Sequence, residues 1–362
     1  MDFSFTEEQL LLEDTVRRFV AKDYTFEKRR AILNSAEGWS REVWQALADL
    51  GLLALNVPEA HGGLGGGPVD TMLVMNALGP GLPLEPYLAS AVTATGLLRD
   101  CPAQAGLLEK MATGERIVVI AHEEQNDVPT LCRPAGTDFL LDGRKCVVAH
   151  ATAADMLIVS ARLAGEPALF LVPRDAAGLT LDSYPTLDGT RAAEVHLAGV
   201  RLPAAARLDA GRDTLERALD IGLAALCAEA VGIMKAAIDA TVDYLRTRRQ
   251  FGQPIGRFQA LQHRAADMLM HYEQARSMSY LAALRCTAQD ASERRRALAA
   301  AKVTIGRAAR FIGQQAVQLH GGMGMTDELV VSHWFKRLTA IELLAGDSDT
   351  HLQQFIQASA YA

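Results

Sequence analysis

The sequence predicts an α+β chain in three consecutive segments: a helical N-terminal domain over residues 1–117, a small β-sandwich or barrel over 118–208, and an antiparallel helical bundle over 209–362. Three observations predict it. Apolar residues recur at helical spacing up to about residue 117. Short β-branched runs punctuated by turn residues then take over for roughly 90 residues. Past residue 209 the helical period returns in segments too long for anything but a bundle of helices joined by short loops.

Taken in order, "SFTEEQLLLEDTVRRFV" opens with Thr6 and, three residues on, Gln9, the spacing of a capping box. "REVWQALADLGLLAL" repeats the helical pattern and runs into "NVPEAHGGLGGGPVD", a breaker-rich loop. Gly62 to Gly67 lacks the Lys-Ser/Thr of a phosphate-binding loop and reads as a domain linker. "RIVVIA", "FLLDGRKCVVAH", "DMLIVSARL", "PALFLVP" and "AAEVHLAGVRLP" read as antiparallel strands. After "LPAAARLDAGRD", Asp213 and Glu216 suggest a second capping box, and Thr214 to Arg248 runs without proline, a helix of roughly 50 Å. Helical patterns over 258–288 and 292–319 follow, then a glycine-rich turn and two short helices. The methionines of "DMLMHYEQARSMSYL" fall at helical spacing and read as core.

Composition narrows the function classes. Apolar residues make up 49% and charged residues 22%, as in ordinary globular proteins. A net charge of -7 carries no electrostatic footprint for nucleic acid. Five cysteines form no CxxC or Cys/His ligand spacing, which predicts free thiols, a reducing compartment and no metal site. His122, Glu123 and Glu124 are adjacent in a strand-flanking loop, so they point different ways and read as a solvated turn rather than ligands. The N-terminus shows neither the basic nor the apolar region of a secretory signal, and no apolar run reaches membrane-spanning length, so the cytoplasm is expected.

Two motifs carry chemistry. In "LRTRRQFGQPIGRFQ" a long helix ends in Arg246, Arg248 and Arg249, followed by Gln250, Phe251 and Gly252. Alone, this is a helix C-terminus whose cations oppose the macrodipole. In "QQAVQLHGGMGMTDE" Gly321 and Gly322 stop a helix, but the third glycine, Gly324, goes beyond what a helix stop needs. Glycines let a ligand approach backbone N–H donors.

With "GLLALNVPEAHGGLGG" upstream, these motifs resemble those of the acyl-CoA dehydrogenase family of flavoproteins, in the right order and over nearly the whole chain. The resemblance implies that family's fold, with a four-helix C-terminal domain, FAD as cofactor, α,β-desaturation of an acyl-CoA, and an electron-transfer flavoprotein as electron acceptor. It also implies that Arg248 binds the FAD pyrophosphate of a neighbouring subunit, with Gln250 and Phe251 alongside. Gln318 and the backbone of Leu319 to Gly322, including Gly321, would close over the same diphosphate. His320 would touch the nucleotide or be satisfied by a carbonyl. Segment 80–100 would line the acyl-tail pocket, without specifying the acyl chain.

The sequence departs from the family where the chemistry should be. The usual glutamate base falls on Ala345, and the alternative base position on Gly222, with Leu223 in place of its adjacent arginine. The loop that touches flavin and acyl-CoA corresponds to "HEEQNDVP", and the Trp-x-Thr/Ser pair beside the isoalloxazine to Val147 and Ala149. This combination is similar to the small subunits of heteromeric acyl-CoA dehydrogenases, such as pimeloyl-CoA types, in which a homologous partner brings the base. One alternative is a self-sufficient homotetramer with a shifted base, Asp347 above Glu342 and Asp349. Another is a non-catalytic flavin or acyl-CoA scaffold.

Overall fold

The computed structural model describes residues 4–125 and 128–360. Its α-helices are α1 (Glu7–Lys22), α2 (Phe26–Leu33), α3 (Arg41–Asp49), α4 (Pro68–Leu78), α5 (Thr95–Leu98), α6 (Ala105–Ala112), α7 (Arg212–Thr247), α8 (Gln259–Arg285), α9 (Ala291–His320), α10 (Val330–Leu343) and α11 (Ser348–Ala360). Between α4 and α5, Tyr87–Ala94 forms a π-helix. The main strands are β1 (Val118–Ala121), β2 (Leu131–Ala135), β3 (Asp138–Ala149), β4 (Met156–Leu163), β5 (Glu166–Pro173), β6 (Leu179–Pro185) and β7 (Arg191–Leu202); β8 (Arg249–Gln250) and β9 (Gln253–Pro254) form a separate hairpin. The chain divides into two compact units. One takes the chain up to Arg29, Pro68–Pro83 and everything from Leu223; the other takes Arg30–Gly67 and Leu84–Gly222.

In the first unit α9 packs against α8, α10 and α11, and α4 against α1 and α8. Thr6 caps α1 with the reciprocal Gln9 bond expected of a capping box. Asp213 does not cap α7. The helix starts one residue earlier, so Asp213 sits in its first turn, while Glu216 bonds back to Arg212. α7 is apolar and long enough to cross a bilayer, but 78% of its most apolar window is buried within the protein, which makes it a core helix.

The second unit holds a seven-stranded sheet in the order β1-β4-β2-β3-β7-β6, with β5 on β4. The five expected runs form β1, β3, β4, β5 and β7, while β2 and β6 were not foreseen, and the antiparallel reading of this block needs correction. β4 pairs parallel with both β1 and β2, on one continuous hydrogen-bonded path. The physical reason is chain length: more than thirty residues separate β1 from β4, enough for the crossover a parallel pair requires. Val118, Ile158, Leu169, Leu97 and Leu98 join the core between sheet and helices. The helical pattern of "REVWQALADLGLLAL" stops at Asp49. Gly51, at φ 76, lets its N–H and that of Leu52 cap the Ala48 and Leu47 carbonyls, a Schellman ending.

Candidate functional site

One end of the helical unit gathers the residues singled out by both motifs. The Tyr244 ring lies 4.6 Å from that of His320, joining the last turn of α7 to the last turn of α9. Arg264 of α8 bonds Gln315 of α9, so the start of α8 belongs to the same end. His320 is buried, and its Nδ1 pairs with the Ala316 carbonyl while burial pushes its pKa down. It is therefore satisfied within its own helix.

Between α7 and α8 the chain makes a two-residue hairpin. Arg249 pairs with Pro254 and Gln250 with Gln253, with Phe251 (φ 52) and Gly252 (φ 78) at the tip. Two left-handed residues in succession give the type I′ geometry that suits the strand twist. Glycine adopts it freely; phenylalanine does so at a cost of about 1 kcal/mol. Phe251 is nevertheless 90% exposed, meeting only the edge of Phe258 at 6.0 Å between ring centroids, so burial among the described residues does not repay that strain.

The two arginines divide the work. Arg249 Nη2 donates to the Gly252 carbonyl and closes the turn. The exposed Arg248 guanidinium has no partner among the described residues. On α9, Gln318 is exposed and Leu319 buried, while a Cβ on Gly321 or Gly322 would meet only open space. α8 starts at Gln259, and its N-cap, Phe258, provides no side-chain cap. The C-termini of α7 and α9 repel an anion, so a phosphate here depends on a guanidinium and on uncapped N–H groups, and both are present. The residues fit the diphosphate of a dinucleotide.

The turn from α10 to α11 contains Ala345, the first position at which the sequence reading expected a base. Ala345, exposed at φ 56, gives its carbonyl to His351 Nε2 at 2.8 Å. Lys302, fully buried on α9, donates through Nζ to the carbonyls of Glu342 and Gly346 at 2.8 and 2.6 Å. Burial lowers the pKa of both Lys302 and His351. Asp347 caps α11, its Oδ1 accepting the Thr350 N–H at 2.8 Å, and the Thr350 hydrogen bonds hold its carboxyl below the usual range. A carboxylate engaged in this way is a weak base aimed at its own helix. Asn caps as well as Asp, so Asp347→Asn is expected to leave both melting temperature and turnover unchanged; a large loss of turnover in a folded variant would restore Asp347 as a base.

In the sheet unit, Val147 (φ 50, half exposed) sits in a bulge where β3 slips against β7. Glu194 closes that bulge. It accepts the Val147 N–H at 3.4 Å, Tyr184 Oη at 3.0 Å and Arg144 Nε at 3.2 Å. Against its partial burial, Cys146 and Tyr184 hold the Glu194 carboxyl below its ordinary pKa. Nearby, Lys145 Nζ is buried against Glu124 Oε1 (2.5 Å) and Ser160 Oγ (2.9 Å), and Glu124 also accepts the Thr130 N–H at 2.7 Å. The reading of His122 to Glu124 as a solvated turn is thus corrected for Glu124, which pins the loop to the sheet. Asn126 and Asp127 of the "HEEQNDVP" stretch lie outside the described residues. No group of metal ligands forms among the described residues.

Gly222, the second position at which the sequence reading expected a base, faces the π-helix: a Cβ there would come 2.6 Å from Thr93 Oγ1. Thr93 in turn bonds the Leu88 carbonyl within the π-helix. A larger residue at 222 would have to displace that threonine. The π-helix had no signature in the sequence beyond small and β-branched residues, whereas Lys302 was readable: it falls in helical phase with buried Leu298, Ala299, Ile305 and Ala309.

Two family models match this chain. The N-terminal domain model of acyl-CoA dehydrogenases matches residues 6–115 and the C-terminal domain model residues 209–360. Benzylmalonyl-CoA dehydrogenase of Aromatoleum aromaticum is 31% identical over 79% of this chain and 81% of its own. The chain belongs to the acyl-CoA dehydrogenase family. Acyl-CoA dehydrogenase FadE27 of Mycobacterium tuberculosis is 28% identical over 98% of this chain and 97% of its own. Among solved structures, a chain of the ChsE4-ChsE5 complex from Mycobacterium tuberculosis superposes with a TM-score of 0.93 at 27% identity, with 100% of both chains covered. The family's members are oxidoreductases acting on CH–CH bonds.

Proposed function

We propose that this chain is one subunit of a heteromeric FAD-dependent acyl-CoA dehydrogenase that desaturates a CoA thioester between its α and β carbons. In this reading it lends Arg248, Gln250, Phe251, Gln318 and the Leu319–Gly322 backbone, with Gly321, to the diphosphate end of an FAD. The flavin ring and the base belong to a homologous partner chain. Bound FAD supplies the acceptor for the β-hydride, and an electron-transfer flavoprotein takes the electrons on. Five free thiols suit a cytoplasmic setting.

The observation that carries the reading is the division between two groups of residues. In the helical unit Arg248 stands free and the glycine backbone is open. At Val147 and Ala345, by contrast, two nearby carboxylates are committed to holding the protein's own backbone: Glu194 to the bulge, Asp347 to the α11 cap. A carboxylate saturated with donors cannot accept a substrate proton efficiently. The two-component ChsE4-ChsE5 complex lends the arrangement a precedent among similar folds.

Flavin stoichiometry tests it. The chain expressed alone should purify nearly colourless, and co-expression with the homologous partner should yield a yellow complex that bleaches on addition of its acyl-CoA. A yellow, active homotetramer from this chain alone would refute the proposal.

A further inference from the structure

The first turn of α10 holds a buried contact between a guanidinium and an imidazole. Arg29 and His333 are both buried. Arg29 Nε donates to the Leu82 carbonyl at 2.7 Å, and its Nη1 lies 3.3 Å from His333 Nδ1. On the other side of the ring, His333 Nε2 lies 3.1 Å from the Asp327 carbonyl. The Phe26 ring meets the imidazole edge-on, with centroids 5.0 Å apart.

Chemistry leaves this arrangement one protonation state. A guanidinium only donates, so Nδ1 accepts; a carbonyl only accepts, so Nε2 carries the proton. His333 is therefore neutral. A second proton, on Nδ1, would remove the acceptor and set an imidazolium against a cation that keeps its charge. Burial pushes the His333 pKa below its usual 6.5, helped by the charges of Arg29 and Lys336 and opposed by the Asp327 carbonyl and carboxylate. Arg29 comes from α2, Lys336 from the same helix and Asp327 from the turn before it; they are the charged groups that act on the ring among the described residues.

The held carbonyl lies close in sequence to the diphosphate donors. Thr326 gives both its N–H and its Oγ1 proton to the Met323 carbonyl, so the Gly321–Met325 turn passes directly into Asp327. Trp334, next to His333, donates Nε1 to the Pro80 carbonyl at 2.9 Å and fixes the start of α10. We propose that neutral His333 is a positioning residue for the nucleotide: by bridging Arg29 to the Asp327 carbonyl it holds the Gly321–Met325 turn in the form that receives the FAD diphosphate, and its protonation releases that turn. The inference rests on the diphosphate reading above and adds a pH limit to it. Released from Arg29, His333 regains the usual pKa of about 6.5, so the released form gains protons first as pH falls below that value. FAD binding should therefore weaken from about pH 6.5 downward and ignore this group at higher pH. One proton limits the dependence to about tenfold per pH unit.

Equilibrium dialysis of the partner-bearing assembly against FAD, from about pH 5 to about pH 8, reads this directly. In His333→Gln the amide oxygen can accept from Arg29 and the amide N–H can donate to Asp327, but no proton is gained. That variant should bind FAD like the unaltered assembly at the upper pH and lose distinctly less in acid. His320 and His351, whose pKa values burial also lowers, are present in both proteins and do not contribute to the difference. His333→Leu should weaken FAD about tenfold at the upper pH, the loss of roughly one hydrogen bond. A purely structural role would lower the melting temperature of both variants and leave the pH slope of FAD binding unchanged. An acid loss in His333→Gln as steep as in the unaltered assembly overturns the role of His333, and this comparison decides even if His333→Leu fails to fold. Unchanged FAD affinity in a folded His333→Leu overturns it as well; in either case the diphosphate reading stands. If Arg248→Leu, dialysed alongside, binds FAD as tightly as the unaltered assembly, the diphosphate reading falls and takes this inference with it.

Discussion

Replacing Arg248 by leucine is expected to strip flavin from the assembly while leaving its fold intact. The guanidinium is exposed and without a partner among the described residues, so its removal breaks nothing in the chain itself. Charge-assisted hydrogen bonds are worth about 1.5–3 kcal/mol each, and about 2.7 kcal/mol is a hundredfold in affinity. Gel filtration followed by flavin absorbance should show FAD held about a hundredfold more weakly at an unchanged melting temperature. Arg249→Leu is the internal control. That side chain donates to the Gly252 carbonyl, so its loss should loosen the hairpin and weaken flavin binding far less. Arg248→Lys should fall between, because an ammonium keeps the charge but loses the fork that matches a diphosphate. Equal flavin retention in Arg248→Leu and the unaltered protein would remove the dinucleotide site from this end of the bundle.

The contrast between Arg248 and Arg249 also shows where sequence reading reaches its limit. Periodicity and turn residues were enough to locate α7, α8 and α9 within a few residues, because long amphipathic segments carry their own signal. The motif "RRQFG" identified the turn but not which arginine closes it and which one stands free; that depends on the left-handed pair Phe251-Gly252, a tertiary outcome. The sheet was legible as strands but not as a mixed sheet, since strand pairing is set by crossovers and not by composition. Glu124 illustrates the same limit. Neighbouring polar residues in a loop read as solvated, and only the register of β3 shows that Lys145 turns inward to meet it. Ala345 stands where the resemblance led one to expect a carboxylate, yet the buried lysine and histidine that shape the turn lie 43 residues before and six after it, too far apart in sequence to read as one site.

The second large effect concerns stability and needs no cofactor. Arg337 of α10 grips Glu229 of α7 through two hydrogen bonds, Nε to Oε1 at 2.6 Å and Nη2 to Oε2 at 2.7 Å. The side chains are 13% and 3% exposed. Removing one member of such a pair leaves an uncompensated buried charge, which typically costs about 3–5 kcal/mol. Arg337→Met is therefore expected to lower the melting temperature sharply, or to abolish soluble expression, although methionine fills much of the same space. The double replacement Glu229→Leu with Arg337→Met should recover most of that loss, because two apolar side chains of similar volume avoid the desolvation both charges suffer. Denaturant midpoints for the two single variants and the double variant close the cycle. If Arg337→Met costs less than about 1 kcal/mol, water reaches Glu229 and the pair behaves as a surface ion pair instead. Such a result would also weaken the picture of α7 and α10 as a rigid frame. That frame carries Arg248 at the far end of α7 and the Ala345 turn at the end of α10, so flavin retention should be measured on the same variants. Loss of flavin only in the destabilised single variant, with recovery in the double, would tie the two ends to one helical scaffold.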